Sequence, residues 1–99
     1  MDVKIKDKAV KDLENLEKDI KSWILDKIGD LEDEPTKHDK AKIIRVGKSQ
    51  VYRYKMKKER GDLDYRAIYD INQEENQIEI KAVFHRDQGY EKELISDRV

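Results

Sequence analysis

The chain has 99 residues, and its 22 Lys+Arg against 23 Asp+Glu make it 45% charged with a net charge of only −1. That length fits one compact, thin-cored domain over residues 1–99. No run approaches the roughly 20 apolar residues of a membrane span, and the lack of Cys excludes a disulfide framework and a thiol nucleophile. A cytoplasmic protein with no membrane association is therefore expected, and a pI near 6.1 argues at first sight against a nucleic-acid partner.

Val3 and Ile5 alternate with Lys4 and Lys6, which predicts a short first strand. The period then changes. Ala9, Leu13, Leu16, Ile20, Trp23, Ile24, Ile28 and Leu31 recur at helical steps, with Asp, Glu and Lys between them. Asp7 is the expected N-cap. The stripe is long for one globular helix, so either one helix or a helical hairpin broken near residues 15–18 fits, its apolar stripe facing the core. Pro35 ends the helical region, because the residue before a proline is pushed out of the helical conformation.

Ile43-Ile44-Arg45-Val46 reads as a short strand or an extended loop, followed by a turn at Gly47-Lys48-Ser49. In the next run Tyr52, Tyr54 and Met56 share one face, and Val51, Arg53, Lys55 and Lys57 the other. Glu59-Arg60-Gly61-Asp62 supplies hairpin chemistry. Leu63, Tyr65, Ala67, Tyr69 and Ile71 then share a face opposite Arg66 and Ile68. After a turn at residues 72–76, Ile78, Ile80, Ala82 and Phe84 are expected on one face and Glu79, Lys81, Val83 and His85 on the other. Residues 90–95, anchored by Leu94 and Ile95, suit a short C-terminal helix. The expected fold is α+β: a small antiparallel sheet, mixed at the first strand, with helices on one face. Tyr52, Tyr54, Tyr65 and Tyr69 are expected in its core.

The even charge balance conceals a strong segregation. Residues 1–36 hold 7 Lys+Arg against 11 Asp+Glu, a net of −4; residues 37–66 hold 11 against 4, a net of +7; residues 67–99 hold 4 against 8, again −4. Local potential steers a polyanion more than net charge does, and neighbouring strands would bring Arg53, Lys55, Lys57 and Arg66 within reach of one another. Nucleotide-cradling glycine motifs are absent, two histidines do not make a metal site, and no Ser sits in a nucleophile elbow. The Arg, Lys and Tyr that remain suit phosphate recognition. RNA brings its own nucleophile, the 2′-hydroxyl, so such a protein needs only to align the phosphate, stabilise its equatorial oxygens and move protons, with no cofactor. A lysine crowded by cations, as Lys55 would be, can approach the pKa of a base. Tyr90 is placed to stack on a nucleobase, and His85 fits a structural role as well as a functional one.

The chain resembles the RelE/ParE superfamily of toxins from toxin–antitoxin pairs, and most closely its RelE-like branch. The resemblance runs through Lys8-Ala9-Val10-Lys11-Asp12-Leu13-Glu14-Asn15-Leu16, Tyr52-Arg53-Tyr54-Lys55, Asp64-Tyr65-Arg66-Ala67-Ile68-Tyr69-Asp70-Ile71, and Ile78-Glu79-Ile80-Lys81-Ala82-Val83-Phe84-His85-Arg86 with Tyr90. RelE-like toxins cleave messenger RNA in the ribosomal decoding site by the 2′-hydroxyl route. The resemblance implies Lys55 as base, Arg66 stabilising the phosphorane-like state, Arg86 supporting the leaving side and Tyr90 orienting a base. Arg53, Lys57, Lys42, Arg45 and His85 complete the implied RNA-binding set, with no metal. Implied partners are a RelB-like antitoxin, the ribosome and messenger RNA, in a homodimer or a toxin–antitoxin heterotetramer. ParE-like members share the fold but act on DNA gyrase; together with an inactive antitoxin-binding homologue they form the alternative reading.

Overall fold

A computed structural model describes residues 1–58, 63–88 and 98. The elements are β1 (Asp2–Ile5), α1 (Asp7–Glu14), α2 (Lys18–Gly29), a 3-10 turn (Asp30–Glu32), β2 (Ala41–Val46), β3 (Ser49–Lys58), β4 (Leu63–Asn72), β5 (Gln77–His85) and a 3-10 turn (Arg86–Gln88). They form one five-stranded sheet in the order β1-β5-β4-β3-β2. β1 pairs parallel with β5 and every other neighbour is antiparallel. The α+β class and the mixed first strand are as the pattern predicts. The expected turn at residues 59–62, the C-terminal helix at residues 90–95 and Tyr90 lie outside the described residues.

The long apolar stripe resolves into two helices, because α1 stops at Glu14 with Asn15 as its C-cap and α2 restarts at Lys18. Asp7 is not the N-cap: Lys6 occupies that position, and Asp7 is the first helical residue, where its charge meets the positive end of the helix dipole. Both helices cover one sheet face. Ala9, Leu13, Ile24, Ile28 and Leu31 pack with Tyr54, Met56, Tyr65, Tyr69 and Ile80 in the main core. Two tyrosines tie sheet to helices through their tips. Tyr54 Oη donates to the Lys27 carbonyl in the last turn of α2 at 2.9 Å, and Tyr69 Oη to the Pro35 carbonyl at 2.6 Å. Burial pushes the Tyr54 phenol up to about 12, helped by Asp30 and Asp39, and raises Tyr69 further. No helix among the described residues is long and apolar enough to cross a membrane.

The ambiguous run at residues 43–46 is a strand, β2, joined to β3 by a two-residue turn in which Gly47 takes a φ of +60°. The alternation in β5 does not hold through its length. The register with β4 slips between Ile68 and Tyr69, leaving Lys81 as an extra residue on β5. Ile78 and Ile80 therefore face the helices, and so does Val83, while Ala82 and Phe84 turn to the opposite face. Asp12 on α1 accepts the Val83 backbone N–H at 2.9 Å, satisfying a donor on β5 past the end of β1.

Candidate nucleic-acid interface

On the sheet face away from the helices, register sets the site. Lys42 on β2 is the partner of Arg53 on β3, and Arg53 of Ile68 on β4; one row further, Lys55 is the partner of Arg66. The Lys55 N–H points the other way, to the Lys40 carbonyl at 3.0 Å. Lys55 and Arg66 are thus a non-hydrogen-bonded cross-strand pair, the kind whose Cα atoms approach to about 4.5 Å and whose side chains stand closest. Beside them on the same face Val46, Val51, Ile68, Ala82 and Phe84 form a second buried cluster, an apolar floor continuous with the cationic row.

Lys55 is exposed, and its ammonium is held below the ordinary lysine range by Arg66 first, then by Arg53, partial desolvation and Lys42, with Asp64 opposing. Asp64 is the member that charge counting overlooks. It is 7% exposed, the one charged residue in the buried set of the described chain. Its Oδ1 accepts from the Arg66 guanidinium and its Oδ2 from Arg86 Nη1 at 3.5 Å. Burial alone would raise its carboxyl pKa. The Arg66 hydrogen bond and charge, followed by those of Arg86, outweigh that and hold it below the usual carboxylate range. One carboxylate therefore joins two arginines, one from β4 and one from the turn that follows β5. The available signal was parity, since Asp64 and Arg66 stand two apart on one strand and must share a face.

The other expected site residues divide. Lys57 lies opposite Asp64 on the same face and is exposed. Arg45 pairs with Gln50, out of phase with Lys42 and Arg53, so it projects on the opposite side of β2 and does not join the row. His85 also turns away, packing edge-on against Tyr65 with ring centroids 5.0 Å apart, while its Nδ1 accepts the Asp87 N–H at 3.0 Å. Of the implied set, then, Lys42, Arg53, Lys55, Lys57, Arg66 and Arg86 gather on one face, and Arg45 and His85 do not. Among the described residues no group of three or more His, Cys, Asp or Glu is arranged to hold a metal ion.

Residues 3–90 match the family profile of the ParE toxin of type II toxin–antitoxin system, parDE. The chain belongs to this toxin family, within the RelE/ParE superfamily. Solved structures of the superfamily agree with the fold. The toxin–antitoxin complex RelBE2 from Mycobacterium tuberculosis matches at 26% identity and TM-score 0.70, over 86% of this chain and 96% of that one. The archaeal RelE-RelB complex from Pyrococcus horikoshii OT3 matches at 28% identity and TM-score 0.63, over 89% and 97%. A mutant of the E. coli toxin RelE in the free state shares the fold at 16% identity, with TM-score 0.68 over 98% and 92%. No curated protein matches significantly.

Proposed function

We propose that this type II toxin is a ribosome-dependent messenger RNA endonuclease acting in the cytoplasm without a metal or other cofactor. The observation that carries the reading is the Lys55–Arg66 cross-strand pair with Asp64 bridging Arg66 to Arg86. In this reading the Lys55 amine, whose charged form the surrounding cations disfavour, takes the proton of the RNA 2′-hydroxyl. The 2′-oxygen attacks the adjacent phosphorus and the bond to the 5′-oxygen breaks, leaving a 2′,3′-cyclic phosphate and a 5′-hydroxyl. Arg66 balances charge on the equatorial oxygens, where a planar guanidinium can bind two at once. Arg86, mostly exposed and tethered by one long contact to Asp64, swings to the departing oxygen, which water protonates. Tyr90 orients a nucleobase by stacking, and Arg53, Lys42 and Lys57 hold flanking phosphates.

The antitoxin partners in the related RelBE and RelE-RelB complexes support a RelB-like antitoxin for this chain as well. A gyrase-directed activity is the second reading, favoured by the ParE description of the matching family profile. Mapping of messenger RNA ends on translating ribosomes separates them. Cleavage by the wild type that disappears in a Lys55→Ala/Arg66→Ala/Arg86→Ala variant supports the endonuclease; intact message beside inhibited gyrase supercoiling rejects it.

A further inference from the structure

The acidic first and last segments of the sequence contribute a cationic cavity once folded. Lys4, Lys6 and Lys8, from β1 and the start of α1, line a cavity of about 360 Å³ together with Lys81 and Arg98. Asp7 is the one carboxylate among the described lining residues, beside five cations. Two features build this place. Lys6 donates its backbone N–H to the Ile80 carbonyl at 2.9 Å, which sets the end of β1 beside the bulge at Lys81. Arg98 is held by Asp12, at 2.7 and 3.3 Å, and by the Lys81 carbonyl at 3.1 Å. Asp12 is thereby committed to Arg98 and to the Val83 N–H, and among the described residues Glu79 is the register partner of Lys4.

The cavity is separate from the Lys55 row. The strand order β1-β5-β4-β3 sets β1 two strand spacings, about 10 Å, from Arg66 on β4 and three, about 14 Å, from Lys55 on β3. Among the described residues its lining contains no aromatic or apolar side chain. That composition suits a phosphate backbone, which is bound by charge, better than nucleobases, which need stacking surfaces. It also suits a polyanion better than a folded protein partner, whose binding energy concentrates in apolar and aromatic anchors.

We propose that the Lys4–Lys6–Lys81 cavity is a second, sequence-independent anchor for the RNA phosphate backbone. The choice of RNA as the polyanion rests on the proposed endonuclease function. Each phosphate neutralised on a single strand contributes roughly −0.7 to the slope of log K against log salt. The test is fluorescence anisotropy of the full chain with a fluorescein-labelled, 2′-O-methylated oligouridine, which cannot be cleaved, titrated between about 50 and 200 mM KCl. A Lys4→Gln/Lys6→Gln/Lys81→Gln variant should lose about 2 from the magnitude of the slope, and a variant carrying Arg at the same three positions should keep it. A Lys55→Gln/Arg66→Gln variant should lose slope independently. An unchanged slope in a Gln variant that retains the wild-type circular dichroism and melting temperature overturns the anchor. So does displacement of the oligomer by a polyglutamate peptide at lower concentration than by unlabelled RNA of equal charge. Slope loss in the Gln variant supports the anchor whether or not the protein cleaves message on ribosomes, so failure of the endonuclease reading registers separately.

Discussion

The two faces of the sheet are built from the same strands, residue by residue in alternation, yet they solve different problems. On the helix face, Tyr54, Met56, Tyr65 and Tyr69 are buried against Ile24 and Ile28, and the Tyr54 and Tyr69 hydroxyls find carbonyls at Lys27 and Pro35. Burial, packing and hydrogen bonding all favour the same arrangement there. The opposite face places Lys42, Arg53, Lys55 and Arg66 in adjacent register positions, and like charges facing each other across strands oppose folding. A floor of Val51, Ile68 and Phe84 and the single carboxylate of Asp64 hold that face together. A local conflict of this kind, in a molecule otherwise consistent, is the pattern of functional or strained sites.

The largest effects should separate the faces most sharply. Lys55→Ala and Arg66→Ala are each expected to lower ribosome-dependent cleavage by about 10²- to 10⁴-fold. Because Lys55 faces cations, Lys55→Ala should leave the melting temperature unchanged or higher. Ile24→Ala, on the helix face, should do the reverse: about 2–5 kcal/mol lost from stability, read by denaturant titration, with cleavage by the remaining folded protein intact. A Lys55→Ala variant that melts well below wild type would erase the contrast.

Asp64 is where the two roles meet, and its effects should be intermediate. Asp64→Asn removes the charge that Arg66 and Arg86 share, at a cost of about 1–3 kcal/mol. Its carboxyl pKa is lower in the folded protein than in the unfolded chain. The stabilisation it gives is therefore present above the unfolded carboxylate pKa and is lost as pH falls through the folded value. Melting curves across an acidic pH series should show that loss in the wild type and a flatter dependence in Asp64→Asn. A smaller shift is expected at Lys55. Cleavage should rise with pH through the depressed lysine pKa, and Arg53→Gln, by removing the second of the cations that depress it, should move the midpoint upward.

Parity explains both what was legible in the sequence and what was not. The cationic row could be read because Arg53, Lys55 and Lys57 alternate with apolar residues, and β3 keeps its period throughout. The helix break was only half legible: the apolar spacing outlasts one ordinary helix, which left one helix or a hairpin broken near residues 15–18 open, and the fold takes the hairpin. In β5 the pattern misled, since Ile78, Ile80, Ala82 and Phe84 keep perfect alternation while the bulge moves the last two to the other face. Both faces there are apolar, so hydrophobicity could not report the slip; contacts from α1, through Asp12 to Val83, accompany it. Arg45 and His85 were grouped with the site by charge and family likeness rather than by parity, and the fold turns them away. Asp64 escaped notice because its sign is wrong for a phosphate site, although its position beside Arg66 is what lets it orient two arginines.

The smallest predicted effect tests how firmly the cationic row is held in register. Gly47 occupies the first central position of the β2–β3 turn with a φ of +60°, and a Cβ there would meet no heavy atom within 4 Å. The cost of Gly47→Ala is therefore backbone strain without a clash, about 1 kcal/mol. The turn is separated from the Lys42–Arg53 pair by the Ile43–Tyr52, Ile44–Val51, Arg45–Gln50 and Val46–Ser49 pairs. If packing of Val46 and Val51 onto Ile68 sets the register, the variant should melt slightly earlier while its RNA-binding salt slope stays at the wild-type value. A fall in that slope with only a small loss of stability would mean that the turn, and not the apolar floor, aligns Lys42 with Arg53.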